Sequence, residues 1–158
     1  MARDITTAFN NAIKSTVVQP LFAIELEFSD GTLRFWNGYG NLTMTAGGSS
    51  KVFTGTGDLL SISPIEETST LQMNGITVAL TGIKSSLIST ALSAQYTNRN
   101  GALYMGLFDA SASVIADVYT LFKGKMDVLN ITESGETSTI SLKIESRLIS
   151  FEHPLNRL

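Results

Sequence analysis

The stretch Pro20-Leu21-Phe22-Ala23-Ile24-Glu25-Leu26-Glu27-Phe28-Ser29-Asp30-Gly31-Thr32-Leu33-Arg34-Phe35-Trp36 decides the fold. Phe22, Ile24, Leu26 and Phe28 alternate with Ala23, Glu25 and Glu27. That period of two belongs to a strand with one buried face. Asp30-Gly31 then tolerates the positive φ angles of a type I′ hairpin turn, and Thr32 to Trp36 forms the returning strand. A two-residue turn at Asp30-Gly31 sets Phe28 opposite Leu33, Glu27 opposite Arg34 and Leu26 opposite Phe35. Apolar then meets apolar and acid meets base, whereas a slip of one residue would set Arg34 against Leu26.

Shorter strands surround this hairpin. Leu42 to Thr45 and Lys51 to Thr54 flank Ala46-Gly47-Gly48-Ser49-Ser50, read as a loose loop. Leu59 to Glu67 is extended, with Pro64 marking an edge or a bulge. Gly75 to Leu80 alternates, with Ile76, Val78 and Leu80 inward. Asn98-Arg99-Asn100-Gly101 is a turn cluster before the strand Ala102 to Phe108, and Val118 to Met126 follows across Asp109 to Asp117. A last hairpin joins Asp127–Glu133 to Thr137–Ser146, with Ile131 facing Ile140 and Leu129 facing Leu142. Two short helices complete the inventory. One runs over Asp4 to Lys14, capped by Asp4 or Thr6, with Ala8, Phe9, Ala12 and Ile13 as its apolar stripe. The other runs over Ser85 to Ala94. A helix as short as the first is marginal alone and must dock on its own domain or on a partner.

About nine or ten short strands joined by hairpin turns, with no βαβ rhythm, indicate a mainly β protein. The expected fold is an antiparallel β-sandwich or barrel-like domain with two short helices. The 158 residues suit one domain. It divides into an N-terminal helix (1–15), a β-rich core (20–146) and a C-terminal segment (147–158).

Composition removes several classes of function. The net charge is −3, and the eleven basic residues are scattered, so no clustered Lys and Arg surface meets nucleic-acid phosphates. There is no cysteine and one histidine, His153, which excludes disulfides, thiolate chemistry and multi-histidine metal sites. No run of eighteen apolar residues predicts a membrane span. Gly38-Tyr39-Gly40, Gly47-Gly48 and Gly55-Thr56-Gly57 lack the Lys-Ser/Thr and helix start of a phosphate loop. Glu66 and Glu67 are neighbours in an extended segment and point to opposite faces. Glu25 and Glu27 share a face, but Arg34 stands opposite. Asp109, Asp117 and Asp127 lack calcium-loop spacing. No cofactor and no enzymatic activity are expected. Charged residues make up 16%, below the usual share of roughly a quarter. A surface so poor in charge reads either as a neutral polar exterior or as one covered by neighbours.

The residues also carry a resemblance. Met1-Ala2-Arg3-Asp4-Ile5-Thr6 leads to Leu21-Phe22-Ala23-Ile24-Glu25-Leu26-Glu27-Phe28, then Leu33-Arg34-Phe35-Trp36-Asn37-Gly38-Tyr39-Gly40. The most specific run is Gly55-Thr56-Gly57-Asp58-Leu59-Leu60-Ser61-Ile62-Ser63-Pro64-Ile65-Glu66-Glu67-Thr68, with Ile144-Glu145-Ser146-Arg147-Leu148-Ile149 at the close. In this order the chain resembles the conserved tail-cluster proteins of siphophages, prophages and gene transfer agents of alphaproteobacteria. In them the module forms the N-terminal part of a baseplate hub or a related tail-tip component. Family members often continue past the position of Leu158 into a second domain with cysteines, and nothing of that domain's activity is carried over.

The resemblance implies a virion protein of the tail tip, made in the bacterial host cytoplasm. It would form a ring, trimeric or hexameric, with itself and contact the tail tube protein and other baseplate, hub and fibre proteins. It would neither bind nucleic acid specifically nor insert into a membrane. The candidate interface residues are Phe9 and Ile13 on the first helix, Trp36 and Tyr39, Arg99 in the turn, and Arg147 and His153 towards the C-terminus. The alternative expectation is a carbohydrate- or receptor-binding module that uses Trp36 and Tyr39, on a Trp36 that is either an exposed anchor or covered by a second layer.

Overall fold

In the computed structural model, the residues described are 6–56, 60–64, 75–81, 95–109, 111, 113–114, 118–134 and 137–146. The helix expected over 85–94, the stretch 65–74 with Glu66 and Glu67, and the segment 147–158 with Arg147 and His153 lie outside them. The elements run α1 (Thr7–Ile13), β1 (Gln19–Phe28), β2 (Gly31–Trp36), β3 (Asn41–Ala46), β4 (Ser49–Gly55) and β5 (Leu60–Ile62). They continue with β6 (Gly75–Thr81), β7 (Asn100–Phe108), β8 (Tyr119–Ser134) and β9 (Thr137–Ser146). The strands form one mixed sheet in the order β3-β4-β2-β1-β7-β8-β9-β6-β5, with β3 and β5 at its two ends.

The leading hairpin forms with one change. Its loop is Ser29-Asp30, and Gly31, at φ +148°, already belongs to β2. The register is therefore shifted by two residues from the expected one. Ile24 faces Phe35, Glu25 faces Arg34 and Leu26 faces Leu33. A shift of two preserves which face each side chain takes, so the alternation holds while the acid opposite Arg34 becomes Glu25 instead of Glu27. The last hairpin has the expected register, Leu129 against Leu142 and Ile131 against Ile140. The segments read as two strands, 118–126 and 127–133, are one 16-residue strand, β8. It pairs with β7 through its first part and with β9 through its second, with an irregularity between Met126 and Leu129.

The main core draws on both halves of the sheet. Ile24, Leu26 and Phe28 of β1 and Phe35 of β2 cluster with Ile76, Val78 and Leu80 of β6. Leu103, Met126, Ile140, Leu142 and Ile144 join them, so the sheet curls around one interior. Each such aliphatic side chain, fully buried, contributes about 1.5–3 kcal/mol.

The second face of β1 is covered as well. Leu21 and Ala23 are buried with Met44 and Ala46 of β3, Phe53 of β4, and Ala102 and Tyr104 of β7. Parity explains this. Residues 21 and 23 point away from residues 24, 26 and 28, and they find the β3–β4 hairpin. That hairpin joins the sheet through two parallel pairs, Phe35 with Thr54 and Trp36 with Gly55, and then lies against the second face. Its turn is tighter than the expected loose loop. Gly47 and Gly48 alone connect the strands, at φ +61° and +85°, values that suit glycine in a two-residue turn.

Candidate functional site

The second face carries a part-buried polar cluster. The strand register sets Arg34, Glu25, Ala102 and Lys123 in one row across β2, β1, β7 and β8. In the adjoining row the Asn100 amide donates to Glu27 Oε2 at 2.6 Å. Ala102 is short between longer neighbours, and the β3–β4 hairpin forms the roof. The result is a hollow of about 120 Å³ lined by Glu25, Glu27, Gly47, Lys51, Tyr104 and Lys123, among others.

Glu25 is the centre of this cluster. Arg34 Nε donates to its Oε2 at 2.6 Å, and Lys51 Nζ donates to its Oε1 at 2.9 Å. Its side chain is 12% exposed. Burial by itself raises the carboxyl pKa, but the hydrogen bonds and charges of Lys51 and Arg34 together outweigh it and hold Glu25 below the ordinary carboxylate value. Tyr104 lies beneath. Burial, then the negative charge of Glu25 and a hydrogen bond to it, push the phenol up to about 12. The Lys51 ammonium stands 5.9 Å from the Tyr104 ring centroid, within cation–π range, and Phe53 meets that ring edge-on at 6.3 Å. Because Lys51 and Phe53 come from β4 while Glu25 and Tyr104 come from β1 and β7, these contacts clamp the folded-back hairpin to the sheet. Glu25 has both oxygens engaged by cations. Among the described residues no group of three or more His, Cys, Asp or Glu is placed to hold a metal.

The residues singled out from sequence are dispersed. Trp36 is half-buried on the second face. Its Nε1 donates to the Gly40 carbonyl at 3.0 Å, and its ring meets Phe108 edge-on at 6.1 Å. The indole also presses on Gly38, where any Cβ would collide with it. Tyr39, on the same turn, is 76% exposed. The pair thus does not present two free rings side by side. Phe9 is 3% exposed and docks α1 on the protein's own body, while Thr6 caps that helix by accepting from the Phe9 N–H at 3.4 Å. Ile13 remains 44% exposed, and Val17 and Val18 are exposed after it. Beside them Ala12, Thr16, Val17, Gln19 and Phe108 line a groove of about 430 Å³. Arg99 is exposed in a turn that β8 fixes, since the Arg99 carbonyl accepts from the Met126 N–H and the Met126 carbonyl from the Asn98 N–H, both at 2.8 Å. Asn98 takes the left-handed conformation there, at φ +62°.

Sequence reasoning did not find the Glu25–Lys51–Tyr104 cluster. Its one local signal was the unbroken apolar run Leu21 to Ile24, a mark of a strand covered on both faces.

No protein-family model matches the chain, and no curated protein matches it. Among solved structures it is similar to a chain of the virion of a native gene transfer agent (GTA) particle, with a TM-score of 0.65 and 13% identity. The match covers 97% of this chain and 49% of that one, so this chain spans about half the length of its neighbour. At this identity the likeness is one of fold.

Proposed function

We propose that this protein is a non-enzymatic structural component of a siphophage-like tail tip or baseplate. In this reading it is a hub or distal tail ring that joins the tail tube to distal hub and fibre proteins. The observation that carries the proposal is the fold likeness, over 97% of the chain, to a component of a gene transfer agent virion. The charge arrangement supports it. Glu25, with its side chain 12% exposed, is spent on clamping a hairpin to the sheet. No helix among the described residues is long and apolar enough to cross a membrane. A ring of three or six copies needs heterologous contacts, and the Ile13–Val18 surface and the Arg99 turn are the described regions proposed to make them. A carbohydrate-binding role has less support, because the Trp36 indole is half-buried with its polar edge occupied.

The test is electron microscopy of the purified protein mixed with its cognate tube and hub proteins. Rings seated at tube ends are expected, and Arg99→Glu or Ile13→Asp should reduce their number. A protein that ignores the tube and hub proteins at every ratio, yet binds a glycan through Tyr39, would overturn the reading.

A further inference from the structure

The edge of the sheet at β3, unpaired among the described residues, carries a specific pairing code. Because Gly47-Gly48 is a two-residue turn, Ala46 and Ser49 form the hydrogen-bonded pair that closes it. In an antiparallel ladder such pairs recur at every second residue, at Met44–Lys51 and Leu42–Phe53. The next step of the rhythm is present as the Gly55 N–H donating to the Gly40 carbonyl at 2.7 Å. Leu42, Met44 and Ala46 therefore spend their backbone groups on β4. Those of Asn41, Thr43 and Thr45 point the other way, and all three side chains are exposed. Among the described residues no strand pairs with this side of β3, and no backbone hydrogen bond reaches these three residues.

Exposed edges are ordinarily blunted by a charge, a proline or a bulge. From Asn41 to Ala46 there is neither a charge nor a proline, and the register with β4 is unbroken. The outward set 41, 43, 45 is symmetric about residue 43. We propose that two copies of this chain pair β3 to β3, antiparallel, on a twofold axis through Thr43. Thr43 then faces the second copy's Thr43, and Asn41 faces the second copy's Thr45. Three hydrogen-bonded pairs form, with six N–H···O bonds and only uncharged side chains opposite one another. The other end of the sheet, β5, is a strand of three residues, so β3 against β3 makes a longer ladder than β3 against β5. The pairing concerns the free protein and does not rest on the tail-tip reading, whose ring uses heterologous contacts.

Analytical ultracentrifugation over a series from about 10 µM to about 1 mM, the range of weak association, tests it. The expected mass rises from the 17.0 kDa monomer towards twice that value. Thr43→Pro should remain monomeric with an unchanged circular dichroism spectrum, because among the described residues that N–H serves no bond within the sheet. Thr43→Lys, which sets two ammonium groups against each other on the axis, should do the same. The chain has no cysteine, so oxidation of the double variant Asn41→Cys/Thr45→Cys should yield a disulfide-linked dimer. Hydrogen-bonded antiparallel pairs place Cα atoms about 5.5 Å apart, within disulfide reach. A wild-type chain that stays at 17.0 kDa throughout, folded Thr43 variants that dimerise like it, or a cysteine variant that oxidises without cross-linking would each overturn the proposal. The wild-type series and the cross-link decide the matter even if a Thr43 variant fails to fold.

Discussion

The two faces of β1 are built by different rules although they alternate along one strand. On one side Ile24, Leu26 and Phe28 join an apolar cluster drawn from strands as distant as β6 and β9. On the other, Leu21 and Ala23 give way to Glu25 and Glu27, and the cover is a two-stranded flap held by Phe53, Met44 and a clamp of charge. Non-directional burial holds the first face, so it tolerates any arrangement that fills the volume. Geometry holds the second, where Glu25 must reach two cations on two different strands at 2.6 and 2.9 Å. The first face stabilises by burial alone, and the second also fixes where the β3–β4 hairpin sits.

This contrast can be broken from either side. The largest effect is expected at Leu103, fully buried in the first core. Leu103→Ala should lower the unfolding free energy by about 2–5 kcal/mol in urea titrations, through lost burial and the cavity left behind. Glu25→Gln comes next, at about 1–3 kcal/mol, because it removes a charge that two part-buried cations use. Its pH dependence sharpens the point. Glu25 is held below its ordinary value of 4.5, so its contribution is present above that pH and is lost as pH falls through the folded-state value. Wild type should therefore lose more stability below about pH 4.5 than Glu25→Gln does.

The smallest effect, about 0.5–1.5 kcal/mol, is expected for Tyr104→Phe at neutral pH, the net worth of one hydrogen bond. Here the sign is opposite. The phenol is raised from 10 to about 12, so its contribution is complete below pH 10 and disappears as pH rises through about 12. Ultraviolet titration of the tyrosinate band should show a step near that upper value, and Tyr104→Phe should abolish that step.

The apolar face was legible in sequence because period-two alternation reports directly on a strand with a dry side. Ile76, Val78 and Leu80 were read inward and are buried, and the β8–β9 register followed from pairing Ile131 with Ile140. The first hairpin was legible only to within two residues. Asp30-Gly31 can supply both loop residues or, as here, one loop residue and the first residue of β2, and either choice leaves every side chain on the same face. The clamp was not legible at all, since Glu25 and Lys51 are 26 residues apart and meet only because β4 folds back. The interface residues divided along the same line. Phe9 served the interior, Trp36 was half-covered, and Tyr39, Ile13 and Arg99 stayed at the surface.

The 16-residue strand β8 has a mechanical consequence. At about 3.3 Å per residue its 16 residues reach at most roughly 50 Å, laced to β7 along one part and to β9 along the other. Tension along its axis loads both ladders in shear, so many cross-strand bonds resist at once, whereas a pull across it peels them one at a time. In a force spectrometer the protein should be stiff along β8 and weak across it, yielding first where the ladder is irregular, between Met126 and Leu129.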